Sequence, residues 1–288
     1  AVVVVHGVFW SGLLAASASY VTDFMPISRR AEGMSFWGLA TVTAVATAPT
    51  VGLWVFERGG WSLVCAEAVV LNLAMLAVAW RLPPEFTPPT GDWRSLTSGR
   101  LVEWPIVRLS LTLFLYTFGY GGITSFVALY AESHGAGPRA LYFAVFSSAI
   151  VITRPYIARL GDRIGHARVL GPCLLAVVVG YVLLAISGSR PMLIASALAF
   201  GTGFGSAYPL FVAHVLRHVD DRRRGAAFGG MLAMFDTGIG TGSIAIGWVI
   251  SHFGYRAGYG LAALVAACAA PYFLAMEPRV LRPRSATH

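Results

Sequence analysis

The stretch Ala158-Arg-Leu-Gly-Asp-Arg-Ile-Gly-His-Ala-Arg168 stands between two long apolar runs. Arg159, Arg163 and Arg168 share it with one acid, Asp162. Gly161 and Gly165 are both expected to let the backbone turn sharply between two helices. A charged turn this short, held between apolar helices, belongs at a membrane surface.

The composition agrees. Hydrophobic residues make up 57% of the 288 and charged residues 12%, with a mean hydropathy of +0.69. Soluble domains carry about 25% charged residues, so this chain is expected in lipid. Every one of the 21 basic residues is arginine. The net charge of +8 does not make a nucleic-acid face, because all the arginines but Arg154 lie in or beside the connections between apolar runs. Cys65, Cys173 and Cys268 are scattered through apolar runs, which argues against a disulfide framework or a metal site; no cofactor is expected.

Nine runs are long enough to span about 30 Å of hydrocarbon at about 1.5 Å per residue. They lie near 1–22, 33–56, 61–80, 105–130, 139–158, 168–187, 191–216, 225–251 and 256–276. Each is predicted helical, since lipid offers no partner to a free backbone amide. The chain is therefore expected to be an all-α membrane protein with nine transmembrane helices. The longer connection at 81–104, with Pro83, Pro84, Pro88, Pro89 and Gly91, reads as a linker between two bundles. The expected division is 1–80 in one bundle, the linker, 105–276 in a six-helix bundle, and a tail at 277–288.

Arginine placement predicts the orientation. Alternate connections hold Arg29 and Arg30; Arg81, Arg94, Arg100 and Arg108; Arg159, Arg163 and Arg168; Arg217 and Arg222 to Arg224; and Arg279, Arg282 and Arg284. The others hold only Arg58, Arg139, Arg190 and Arg256. The rich side is cytoplasmic by the positive-inside rule, with Ala1 outside and His288 inside.

The chain also repeats itself. Arg29-Arg30 return as Arg223-Arg224 (29 to 223, an offset of 194), Gly52 as Gly247 (an offset of 195), and Gly60-Trp61 as Gly254-Tyr255 (an offset of 194). The first three runs thus correspond to the last three. Parallel repeats of this kind relate the two halves of certain transporters.

The stretch 158–168 resembles the G-x-L-a-D-r-x-G-r-r signature of the major facilitator superfamily. Leu160, Asp162, Arg163 and Gly165 match it, Ala158 replaces its first glycine, and His166 and Ala167 replace two basic residues. The resemblance implies two helical bundles, a midplane site between them and alternating access. The repeat then implies that helices four to twelve of a twelve-helix protein are visible, three having no counterpart before residue 1. Ala44-Val-Ala-Thr-Ala-Pro-Thr-Val-Gly52 resembles the G-x-x-x-G-P-x-x-G element of the superfamily's exporter branch. Pro49 and Gly52 match, with Ala44 and Ala48 in place of glycines. The region from His6-Gly7 through Asp23 to Gly33 is similar to drug and sugar exporters, with Val3 where that family has an arginine.

Asp236 is the sharpest candidate for chemistry. It lies in Met234-Phe-Asp-Thr-Gly-Ile-Gly-Thr-Gly242, eleven residues after Gly225 and roughly 16 Å deep. A charge there costs about 2.5–3.5 kcal/mol even on the gentler insertion scale, so a carboxyl able to load and release a proton is expected. A structural acid bonded to a neighbouring helix is the plainer alternative. Arg154, one turn inside its helix, is a candidate for holding an anionic group, or for snorkelling to the interface. Tyr116 and Tyr120, four apart in the glycine-rich Tyr116–Thr124 segment, are candidate cavity walls with Tyr208 and Trp10. Gly119, Gly121 and Gly122 are expected to interrupt their helix. Leu160, Gly161, Asp162, Arg163 and Gly165 form a candidate conformational latch, with the Gly33 end of the second run as the expected partner of Asp162.

These features point to a secondary transporter in a bacterial inner membrane, exporting small organic compounds against protons and working as a monomer when complete. Its expected partners are a small-molecule substrate, protons and the bilayer. Uptake on the same scaffold and a non-transporting remnant remain open. A membrane enzyme is disfavoured, because no H-E-x-x-H or comparable cluster occurs.

Overall fold

The computed structural model describes residues 30–83, 103–219 and 223–281, together with 9–10, 12–13, 16–17 and 20–21; side chains at 30–43, 45–46 and 224–225 are excluded. Among the described residues every regular element is a helix: α1 (Arg30–Trp80), α2 (Trp104–Leu109), α3 (Leu111–Ser133), α4 (Leu141–Ile164), α5 (His166–Ile186), α6 (Arg190–Leu216), α7 (Arg224–Ala267) and α8 (Ala269–Leu281). Six helical stretches among them are long and apolar enough to cross a membrane. Most of the first predicted run, the repeat's Arg29 and most of the linker lie outside the described residues.

Two of the six stretches hold more than one predicted run. Ala226–Leu281 has 56 residues, which as one straight helix would reach about 84 Å, far beyond a bilayer. It breaks at Gly254, with φ 82° and ψ 171°. There the chain doubles back: a methyl group added at Gly258 would meet the side chains of Ile250 and Ile246, which a straight helix would hold about 12 and 18 Å away along its axis. The long α1 breaks at Gly59 and Gly60, the latter with φ 60° and ψ −158°. Both positive-φ joints are glycines, where a Cβ would clash. They fall on the repeated pair Gly60-Trp61 and Gly254-Tyr255, so the repeat read from sequence recurs as repeated backbone geometry.

The core lies in α3 to α8. α3 packs along α7, α5 along α6 and α7, and α4 along α6. Tyr116, Tyr142, Tyr181, Tyr259, Phe146, Phe200, Phe211 and Phe273 are its largest fully buried side chains. α1 leans on α4. Val55 is buried, whereas the apolar face from Trp61 to Trp80 is mostly exposed.

Three local expectations change. α3 runs unbroken through Gly119, Gly121 and Gly122. Those glycines admit neighbours instead: an added Cβ at Gly121 would strike the Ile239 carbonyl, and one at Gly242 the Phe118 carbonyl. The α3 and α7 backbones thus touch through glycines on each helix. Gly161 makes no turn either. It is buried within α4, where an added Cβ would come within 2.7 Å of Leu210. Finally, α8 stays helical to Leu281, so it takes in residues assigned to the tail.

Candidate functional site

The site begins at the glycine contact between α3 and α7. Close backbones let side chains one turn away bond across the seam. The Thr117 hydroxyl donates to the Phe235 carbonyl at 3.0 Å, and Ser125 and Ser243 share a hydrogen bond of 2.8 Å. The first of these fixes the backbone immediately before Asp236.

Around that point aromatic rings from four helices converge. Tyr116 of α3 meets Phe204 of α6 edge-on at 5.6 Å and Phe235 of α7 at 6.3 Å. Tyr208 meets Phe235 at 4.8 Å. Tyr120 stacks on Phe146 of α4 and on Phe200, both at 6.1 Å, and lies 4.3 Å from Phe204. Its ring is only 6% exposed, so packing is its visible role.

Three buried polar atoms here have no hydrogen-bond partner among the described residues: the hydroxyls of Tyr116 and Tyr208, and Nη1 of Arg154. Buried polar groups are nearly always paired, and an unpaired one costs about 1–3 kcal/mol. Such atoms are what a polar ligand would satisfy. Arg154 belongs at the level of Tyr208, because α4 meets Gly205 through Ile150 and Leu210 through Gly161. Tyr208 lies within electrostatic reach of Asp236. The structure therefore brings Tyr116, Tyr208 and Asp236 together, with Arg154 on the adjoining helix at that height.

Asp236 is exposed, on a strip of α7 with Gly229, Ala233, Thr237, Gly240 and Thr241. All are small or polar, unlike the lipid-suited Ile244 and Trp248 further along, which are also exposed. Trp10 is 51% exposed. In α1, Ala48 is exposed while Pro49 and Gly52 are half-buried, and an added Cβ at Gly52 would meet nothing within 4 Å.

At the far end of α4 the charged stretch is mostly helix. Leu160 and the exposed Asp162 and Arg163 ride its last turns, and the whole reversal falls on Gly165, with φ 101° and ψ 133°. Asp162 Oδ1 lies 3.4 Å from Nε2 of His166, and Nη1 of Arg217 donates to His166 Nδ1 at 3.3 Å. Arginine cannot accept, so His166 accepts at Nδ1 and keeps its proton on Nε2, towards Asp162. Nε2 of His214 donates to Glu277 of α8 at 3.1 Å. These histidine contacts escaped sequence reading because the bonded partners stand up to 63 positions apart (214 to 277). The Gly33 end proposed for Asp162 lies where side chains are not described.

Phe204 and Phe235 were also missed, although Phe200, Phe204 and Tyr208 recur every fourth residue and so share one face of α6. Among the described residues no group of three histidine, cysteine or acidic side chains is placed to hold a metal.

Apolar membrane-length helices joined by tight turns, packed through glycine seams around buried polar atoms, define a multi-pass α-helical membrane protein. The sequence profile of the Major Facilitator Superfamily matches residues 1–151 and 109–288, and the chain belongs to that family. An uncharacterised MFS-type transporter of Pseudomonas aeruginosa (strain UCBPP-PA14) is 27% identical over 253 residues, covering 88% of this chain and 62% of that protein. YhhS, an uncharacterised MFS-type transporter of Escherichia coli (strain K12), is 25% identical over 235 residues, covering 80% and 57%. The chain thus spans about three-fifths of the length of these curated relatives. A crystal structure of a peptide transporter in complex with sulfate superposes with a TM-score of 0.55 at 21% identity, over 61% of this chain and 38% of that one. It shares the fold.

Proposed function

We propose that the chain acts in a proton-coupled secondary transporter of a bacterial inner membrane, exporting small amphipathic or cationic organic compounds by alternating access. The observation that carries this reading is the pair of unpartnered buried hydroxyls on Tyr116 and Tyr208, whose rings both pack on Phe235, the residue before Asp236, with the unpartnered Nη1 of Arg154 on the adjoining helix. Aromatic rings offer stacking and cation–π contacts to an organic cation. A carboxylate beside them can hold either that cation or a proton, and exchange of one for the other is what an antiporter requires. The Pro49–Gly52 element supports the export direction, and the similarity of the chain to MFS-type transporters supports a small-molecule substrate. The latch role of Asp162 belongs to the same reading: it would hold one bundle against the other between half-cycles.

The test is transport by the full chain in proteoliposomes, with ethidium as probe and an imposed pH gradient. Asp236→Asn mimics the protonated form permanently. It is expected to abolish gradient-driven movement while ethidium still binds, with an affinity that no longer depends on pH. Uphill transport equal to the parent would move coupling elsewhere.

A further inference from the structure

We propose that the pocket at the α4–α5 turn is an oxyanion site that takes a phosphate group, apart from the transport pathway. The pocket has a volume of about 550 Å³ and is lined by Gly165, His166 and Arg168 of the turn and by His214, Arg217 and His218 at the end of α6. No carboxylate is among its lining residues. The two acids nearby are directed at histidines, Asp162 at His166 and Glu277 at His214. Arg168 makes no ion pair among the described residues. Arg217 spends one N–H on His166 Nδ1 and retains the rest of its guanidinium fork. Nδ1 of His218 donates to the His214 carbonyl at 2.9 Å, which leaves its Nε2 to the pocket side.

Two guanidinium groups without a carboxylate partner across one cavity form a recognition pattern for a tetrahedral oxyanion. The backbone contributes in the same sense. α5 starts at His166 with no side-chain cap on its first amides, and such amides favour an anion. The volume is several times that of bare phosphate, so the phosphate would carry an organic group. A soluble phosphate ester and the headgroup of an anionic phospholipid offer the same chemistry here, since the turn sits where a helix leaves the membrane.

The experiment uses the full chain purified in phosphate-free detergent, with two probes. Glycerol 3-phosphate is titrated while thermal unfolding is followed, and phosphatidylglycerol against phosphatidylcholine is scored by retention in native mass spectrometry. The expected result is saturable binding of at least one phosphate probe, weakened tenfold or more by Arg168→Gln together with Arg217→Gln and unchanged by Arg159→Gln. Arg168→Gln alone, at an exposed side chain, keeps the test valid if the double variant does not fold, and should weaken binding several-fold. Glycerol 3-phosphate binding alone assigns a soluble ester; selective phosphatidylglycerol retention alone assigns a lipid; both assign the shared group. Binding of neither probe, or binding indifferent to Arg168→Gln and to the double substitution, overturns the site.

Discussion

Gly240 and Gly242 lie two positions apart on α7 and have opposite surroundings. An added Cβ at Gly240 meets nothing within 4 Å, whereas at Gly242 it strikes the Phe118 carbonyl. Backbone cannot step aside as a side-chain tip can, so Gly242→Leu should cost at least about 1–3 kcal/mol, the usual toll of overpacking. Gly240→Leu should leave thermal unfolding in detergent nearly unchanged. Helix propensity alone would favour leucine at both positions, so equal losses at the two would show that the α3–α7 seam does not set the response. Residue identity told part of this story in advance. Asp236 and Arg154 stood out because a charge in an apolar run is costly wherever it points. Which glycine touches a neighbour did not show, because both look alike in the sequence and only the partner helix tells them apart. Phe204 and Phe235 were hidden for a related reason: an aromatic in a membrane helix suits lipid, protein or ligand equally.

At the scale of elements, the α4–α5 connection contracts from a loop to a single residue, Gly165. Glycines at 161 and 165 are equivalent to a reader of sequence. In the fold one is buried against Leu210 and the other takes a positive φ. The helix therefore continues through Asp162, which gains a rigid mounting. For the proposed latch this means that Asp162→Asn should slow turnover while substrate affinity stays within a few-fold, read as separate kcat and Kd values in proteoliposomes. A large loss of affinity at normal turnover would place Asp162 in substrate binding instead. The unbroken course of α3 follows the same rule. Three glycines within four positions (119 to 122) suggest a break when the helix is considered alone, yet Tyr181, the α7 backbone and Ile246 pack against them and the helix runs on.

At the scale of the molecule, helical character, membrane-length runs and the internal repeat were all legible, because hydropathy and spacing survive without knowledge of partners. The number of separate spans was less so, since hydrogen-bonded turns run on through Gly60 and Gly254 and join predicted neighbours. The proposed orientation can be tested with reporters fused after Arg284 and within 187–190, expected to read cytoplasm and exterior respectively. The same side for both would overturn the nine-span layout.

The joint at Gly254 bears on biogenesis. With hardly any connecting segment, the halves of α7 lie against each other as a helical hairpin, a shape in which two apolar spans can be delivered to a bilayer as one unit. The matching joint at Gly60 suits the same mode of entry, so that a duplicated fold would be laid down in duplicated steps during translation.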